Sequence, residues 1–350
     1  MNGANKKKVR VLIVDDSAFM RQVIGKMLES SDKIEIVGYA KDGEEGLQKA
    51  IDLLPDVITT DIEMPKMDGL KFLEKLMEIK PIPTIVVSSW AKEGAEPTLK
   101  ALDLGAVDFV TKPVYAPSLD IYRIQEELVK KVLLFSNLRL GKKPAETKGK
   151  KSGSVSIAKI VRPEIVVIGS STGGPRAVSQ IIGELPSEFP VPIVIAQHLP
   201  IGFTSTFAKR LDKITSLDVK EAEQGEQLFP HKVYIAPSGL QTMIIKENEN
   251  LYIHLTNEPK KFFQPSVDVL FESAAKSCGS HVLAVLLTGM GSDGALGLKT
   301  LFDLGAWTIA EDEESCVIFG MPKVAIELGG VCEVLPLAEI ARTMVNRTNF

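Results

Sequence analysis

The chain has 350 residues, with 41 Lys or Arg against 45 Asp or Glu, and it is 45% hydrophobic. At roughly 150 residues per domain this predicts two globular domains. It excludes a disordered chain, a collagen-like repeat and a disulfide scaffold. Three cysteines (Cys278, Cys316, Cys332) are too scattered for a secreted framework or a zinc site, and they are expected as buried, reduced thiols in a cytoplasmic protein. Lys6 to Lys8 precede an apolar run that ends at Asp15, too short for a signal peptide. No run reaches the ~20 apolar residues of a membrane helix, so no membrane insertion is expected.

In chain order, VRVLIVDD, IEIVGYA, DVITTD, TIVVSS and DFVTK read as strands, with amphipathic stretches such as AFMRQVIGKMLES between them. Near-continuous Val/Ile runs mark strands covered on both faces, hence a parallel sheet. Ile121, Ile124, Leu128, Val132 and Phe135 then share a helical face. Residues 141–156, GKKPAETKGKKSGSVS, are almost devoid of apolar side chains and read as a flexible basic linker. Beyond it EIVVIGSS, VPIVIAQH, KVYIAPS, HVLAVLLTG and AWTIAED repeat the buried-strand pattern. TMIIKENENLYIHLT reads as a hairpin turning at Glu247 to Asn250, and the tail after Leu337 as a terminal helix. The expected division is residues 9–130, a helix end and linker over 131–160, and a second domain over 161–350. That second part holds 15 basic and 22 acidic residues, net -7, which leaves 26 against 23, net +3, for the rest. An acidic output domain is a poor fit to a phosphate backbone, so no nucleic acid partner is expected.

Ligands of open parallel sheets bind beyond the carboxyl ends of the strands. In the first domain those ends carry Asp15, Asp16, Asp61, Ser88 and Lys112. Three close carboxylates repel one another unless a cation sits among them, and oxygen-only ligation suits Mg²⁺. A Lys and a Ser beside it can neutralise and hydrogen-bond a phosphoryl group. VDDS, DIEMPKMDGL, VVSS and TKP together resemble a receiver domain of bacterial two-component signalling. The resemblance implies Asp61 as phosphoacceptor for a histidine kinase, with Asp15, Asp16 and the Glu63 backbone carbonyl helping to hold Mg²⁺. It implies phosphoryl contacts from Ser88 and Lys112, with Phe109 at the place of a switch aromatic.

In the second domain EIVVI runs into Gly169-Ser-Ser171-Thr-Gly173, a nucleophile-elbow pattern between strand and helix, and placement picks Ser171 over Ser170. A serine nucleophile needs a base. Of four histidines, only His198 lies at the same sheet edge; His231 and His281 precede strands and His254 lies within the hairpin. Asp293, at the carboxyl end of the HVLAVLLTG strand, is the best orienting acid. Asp312 competes, but it lies in an acidic run, Glu311 to Glu314, that reads as a solvated loop. The order Ser, His, Asp differs from that of α/β-hydrolases. Gly289, Gly291 and Gly294 match a dinucleotide fingerprint, yet Asp293 inside that loop would repel a pyrophosphate.

GSSTGGP, AQH, VYIAPSG, QPSVDVLFES and LTGMGSDGALG resemble the catalytic domain of chemotaxis response-regulator protein-glutamate methylesterases. The resemblance implies hydrolysis of glutamate γ-methyl esters, and deamidation of certain glutamines, on chemoreceptors. It implies Met290 as an oxyanion donor, Thr172 as a residue positioning the histidine, no cofactor in this domain, and a receiver that covers the cleft until it is phosphorylated. The implied fold is a flavodoxin-like receiver joined to a Rossmann-like α/β domain with a hairpin. Two other readings stay open: a receiver-linked serine hydrolase of another substrate, such as an amidase, and a non-enzymatic partner-binding output domain.

Overall fold

The structure is a computed structural model that describes residues 7–88, 95–112, 118–136, 138 and 161–349. The chain divides into two compact units, Met1–Ala145 and Glu146–Phe350. The expected linker, 141–156, lies outside the described residues, as does Pro113. No helix among the described residues is long and apolar enough to cross a membrane.

The first unit alternates β1 (Val9–Val14), α1 (Ala18–Glu29), β2 (Ile34–Ala40), α2 (Gly43–Leu53), β3 (Val57–Thr60) and α3 (Gly69–Ile79). It continues with β4 (Thr84–Ser88), α4 (Ala95–Asp103), β5 (Asp108–Thr111) and α5 (Ser118–Phe135). The strands pair in parallel in the order β2-β1-β3-β4-β5. Val11, Leu12, Ile13, Val57, Ile58, Ile85 and Val86 are buried, as strands sandwiched between helices must be. On α5 the expected apolar face buries Ile124, Leu128, Val132 and Phe135, while Ile121 stays exposed. Because the chain winds both ways from β1, a crevice opens where β1 and β3 end.

The second unit runs β6 (Ile165–Ser170), α6 (Gly174–Gly183), β7 (Ile193–Gln197), α7 (Phe203–Asp212), β8 (Asp218–Glu221) and β9 (Lys232–Ile235). There follow a hairpin, β10 (Gln241–Glu247) and β11 (Asn250–Thr256), then α8 (Val267–Cys278), β12 (Val282–Leu286) and α9 (Ala295–Asp303). The unit closes with β13 (Trp307–Glu311), α10 (Met321–Glu327), β14 (Glu333–Leu335) and α11 (Leu337–Thr348). Seven strands form one parallel sheet, β14-β13-β12-β6-β7-β9-β8. Its switch point lies between β6 and β12.

Two of these strands, β8 and β14, are short edge strands with too few apolar residues to announce themselves. Asn248 and Glu249 link β10 to β11, both at positive φ, as a two-residue hairpin loop requires. The acidic run departs from expectation. Glu311 is not part of a solvated loop but the last, fully buried residue of β13; only Glu313 and Glu314 are exposed. The thiols also differ: Cys278 is buried, whereas Cys316 and Cys332 are half-buried.

Candidate functional site

Both crevices carry polar side chains on loops that leave adjacent parallel strands. In the second unit, β6 ends at Ser170 and the chain turns through Ser171-Thr172-Gly173 into α6. Gly173 sits at φ +78, and a Cβ there would lie 2.6 Å from Val317, so the tight turn demands glycine. The two serines part ways. Ser170 is buried and donates to Gln197 Oε1 (2.6 Å), whereas Ser171 Oγ lies 3.1 Å from Nδ1 of His198. Gln197, the last residue of β7, donates through Nε2 to the carbonyls of Ser171 (2.9 Å) and His198 (3.0 Å). It pins the serine turn to the histidine strand.

His198 Nε2 lies 2.8 Å from Asp293 Oδ2, and the two side chains are only 7% and 12% exposed. A carboxylate accepts, so the proton sits on Nε2 and Nδ1 keeps a lone pair for the Ser171 hydroxyl. The serine protease template uses the two ring nitrogens the other way round. Phe263 stacks on the imidazole, ring centroids 3.9 Å apart and planes 10° from parallel.

Asp293 is saturated. Besides His198 it accepts from the Ser266 hydroxyl (2.7 Å) and the backbone N–H groups of Val267 (2.7 Å) and Asp268 (3.2 Å). Those amides open α8, so the carboxylate also sits at the positive end of a helix. Burial alone would raise its pKa, but the bonds from His198, Ser266 and Val267 bring it below the ordinary value. The glycine-rich loop around it thus carries a carboxylate committed to α8 and His198, whose charge would repel a pyrophosphate.

Behind the serine turn, the Thr288 carbonyl accepts the Ser171 N–H (3.0 Å) and the Thr288 hydroxyl donates to the Thr172 carbonyl (3.0 Å). Gly289 passes so close that a Cβ would meet Ser171 Cβ at 2.8 Å. Met290 follows in the same loop. Sequence reasoning missed Gln197, Phe263, Ser266 and Thr288. Ser266 had a findable signal: a serine opening an apolar helical run is an N-cap, and its hydroxyl lies 3.5 Å from the Val269 N–H.

In the first unit, ligand oxygens of Asp15, Asp16 and Asp61 all lie within 4.8 Å of one another. Lys112 Nζ donates to Asp61 Oδ2 (2.6 Å) and lies 3.6 Å from Asp15 Oδ2. Ser88 Oγ is 2.5 Å from Thr98 Oγ1, and Glu63 is exposed on the loop after β3. Phe109 is buried in β5. Burial pushes the Asp15 carboxyl up to about 6, Lys112 opposing and Asp61 adding to the rise. Asp61 is likewise raised, by burial first. Burial would lower Lys112, but its bond and charge contact with Asp61 hold it above the ordinary lysine value. Asp15 Oδ2 is buried without a hydrogen-bond partner, with the Lys112 ammonium as its nearest counter-charge.

Comparisons with known proteins agree for both units. Residues 166–344 match the family described as CheB methylesterase, and residues 11–121 match the response regulator receiver domain. A protein-glutamate methylesterase/protein-glutamine glutaminase of Halalkalibacterium halodurans is 47% identical over 98% of this chain and 99% of its own. The protein of that name from Salmonella typhimurium is 42% identical over 97% and 96%. The crystal structure of the Thermotoga maritima CheB methylesterase catalytic domain is similar at TM-score 0.52 and 45% identity, over 53% of this chain and 99% of that one.

Proposed function

The chain belongs to the CheB methylesterase family, with a receiver domain preceding its catalytic domain, and we propose that phosphorylation switches on its hydrolysis of glutamate γ-methyl esters on chemoreceptors. We read the same site as deamidating particular receptor glutamines; the relatives also carry the name protein-glutamine glutaminase, which supports this. A cytoplasmic location and a role in chemotactic adaptation go with this reading. The observation that carries it is the hydrogen-bonded chain Ser171–His198–Asp293 at the switch point of the sheet.

Ser171 Oγ attacks the ester carbonyl as His198 Nδ1 takes its proton, and Asp293 holds the tautomer and stabilises the imidazolium. The oxyanion forms where backbone N–H groups converge, Met290 among them, and Thr172 helps to position the histidine. His198 returns the proton to the departing methoxide, releasing methanol. Water activated by the same nitrogen then cleaves the acyl-enzyme, restoring Ser171 and leaving a glutamate side chain on the substrate protein. With an amide substrate the leaving group is ammonia.

In the receiver, Asp61 accepts a phosphoryl group from the phosphohistidine of a kinase: the P–N bond breaks as the P–O bond forms. Lys112 exchanges its bond to Asp61 for one to a phosphoryl oxygen, and Ser88 supplies a hydroxyl. The buried Asp15 oxygen and the crowding of Asp15, Asp16 and Asp61 fit Mg²⁺, which these three side chains would hold, with the Glu63 carbonyl as a further ligand on the family resemblance. Bound there, Mg²⁺ offsets the negative charge that gathers as phosphate is transferred.

Methanol release from methylated chemoreceptors, with and without a small phosphodonor and Mg²⁺, tests the reading. Wild type should release methanol faster with the donor, and Ser171→Ala should fall by at least ~10³-fold. Undiminished release from Ser171→Ala would sink the mechanism.

A further inference from the structure

Glu311 is a buried carboxyl that the mechanism above leaves without a task. The ladder between β12 and β13 ends at Leu286 and Ala310. Beyond it, the Thr288 N–H would be a buried orphan. Glu311 Oε2 accepts that N–H at 2.8 Å, so a side chain adds one rung to the ladder. Its other oxygen accepts from the Ser315 hydroxyl (3.0 Å). The residue is fully buried, and burial pushes its carboxyl above the ordinary range despite the Thr288 bond. An apolar side chain of this length would fill the space without that cost.

Thr288 spends its remaining groups on the serine turn, its carbonyl on the Ser171 N–H and its hydroxyl on the Thr172 carbonyl. The Ile318 N–H donates to the same hydroxyl oxygen at 2.9 Å, locking its rotamer. Met290 lies two residues further along this loop. The chain of bonds therefore runs from Glu311 through Thr288 to both residues of the elbow, and a shift of Thr288 displaces nucleophile and oxyanion donor together.

We propose that Glu311 is a positioning residue of the hydrolytic site: its carboxyl holds Thr288, and Thr288 holds the turn that carries Ser171. The proposal rests on the serine-hydrolase reading. It requires an acceptor at position 311, not a charge.

The test uses the full chain with phosphodonor, comparing Glu311→Gln, Glu311→Met, Thr288→Ser and Thr288→Val for kcat, KM and far-UV circular dichroism. Gln keeps the acceptor and Ser keeps the hydroxyl; Met and Val keep the volume without either. Misplacing a reacting group by about 1 Å costs up to ~10²-fold, so Glu311→Met and Thr288→Val should lose ten- to a hundredfold in kcat with KM within ~2-fold. Glu311→Gln and Thr288→Ser should stay within ~3-fold of wild type. Folded Glu311→Met and Thr288→Val with wild-type kcat would overturn the proposal, as would an equal loss in Gln and Met. Should Glu311→Met fail to fold, Glu311→Leu, which also lacks the acceptor, decides in its place, because Thr288→Val keeps the backbone N–H that Glu311 holds and reads only the second link, through the Thr288 hydroxyl. Ser171→Ala runs alongside: release persisting in it overturns the hydrolase reading itself, whatever the Glu311 variants do.

Discussion

Each unit puts carboxylates at the carboxyl edge of a parallel sheet, beside the switch point, and the two treat them in opposite ways. Asp293 has four donors, a helix N-terminus behind it and a lowered pKa. Asp15 is buried beside Asp16 and Asp61, carries an oxygen without a hydrogen-bond partner, and is raised to about 6. Burial is large for both, so donors and neighbouring charge decide the sign. On the function proposed above, a carboxylate that orients a histidine stays ionised and immobile, its lone pairs filled from within the protein, whereas one that would take up a cation keeps lone pairs open.

The largest expected effect breaks the saturated side. Asp293→Asn keeps volume, but its amide can donate to Nε2 and stabilise the wrong tautomer, putting the proton on Nδ1, where Ser171 needs an acceptor. The corresponding change in the serine protease template lowers kcat about 10⁴-fold, and a loss of roughly 10³- to 10⁴-fold is expected here, read as methanol release. A loss under tenfold would show that His198 does not depend on Asp293 for its tautomer.

A smaller effect, of opposite sign, is expected at the receiver edge. Because the folded pKa of Asp15 is raised, its contribution favours folding below about pH 4 and is lost as pH rises through about 6. At pH 8 without Mg²⁺, Asp15→Asn should therefore raise the receiver's unfolding free energy by about 2 kcal/mol, while abolishing stabilisation by Mg²⁺. Calorimetry of the full chain, following the receiver transition, reads both. If the variant is less stable than wild type at pH 8, the picture of an edge strained by its own charge fails.

Strand ends were the legible part of both sites. Once VRVLIVDD and EIVVIGSS read as buried parallel strands, strand ends put Asp15, Asp16, Asp61, Ser88 and Lys112 at the edge of one sheet, and the elbow pattern with strand ends puts Ser171, His198 and Asp293, the last preferred to Asp312, at the edge of the other. The grip on these residues was not legible. Ser266, Val267 and Asp268 reach Asp293 from a helix start 25 to 27 positions away in the chain, and no local pattern announces a helix N-terminus aimed at a carboxylate. Glu311 is hidden by its acidic neighbours, Asp312 to Glu314, which resemble a solvated loop; its pairing at the end of β13 and its burial show that it faces inward. Phe263 lies on an irregular segment after β11, where periodicity says nothing about what it touches.

The smallest expected effect sharpens the comparison within one domain. Asp268 donates its backbone N–H to Asp293, yet its own side chain behaves like Asp15. Burial pushes that carboxyl up to about 6, with the Gly297 N–H opposing and the charge of Asp293 adding to the rise. Its Oδ1 accepts the Gly297 N–H at 2.8 Å, in the first turn of α9. Asn keeps that acceptor and removes the charge beside Asp293. A raised folded pKa means stability present below about pH 4 and lost as pH rises through about 6. Asp268→Asn should match wild type near pH 4 and exceed it by about 1 kcal/mol at pH 8, less than at Asp15 because this side chain is only half-buried and water screens its charge, with kcat little changed because Asp293 keeps all four donors. Urea unfolding at the two pH values decides it. A variant destabilised at both would mean that the carboxylate's charge at the N-terminus of α9 outweighs its repulsion by Asp293, and that the contrast between filled and open carboxylates does not extend past Asp293 itself.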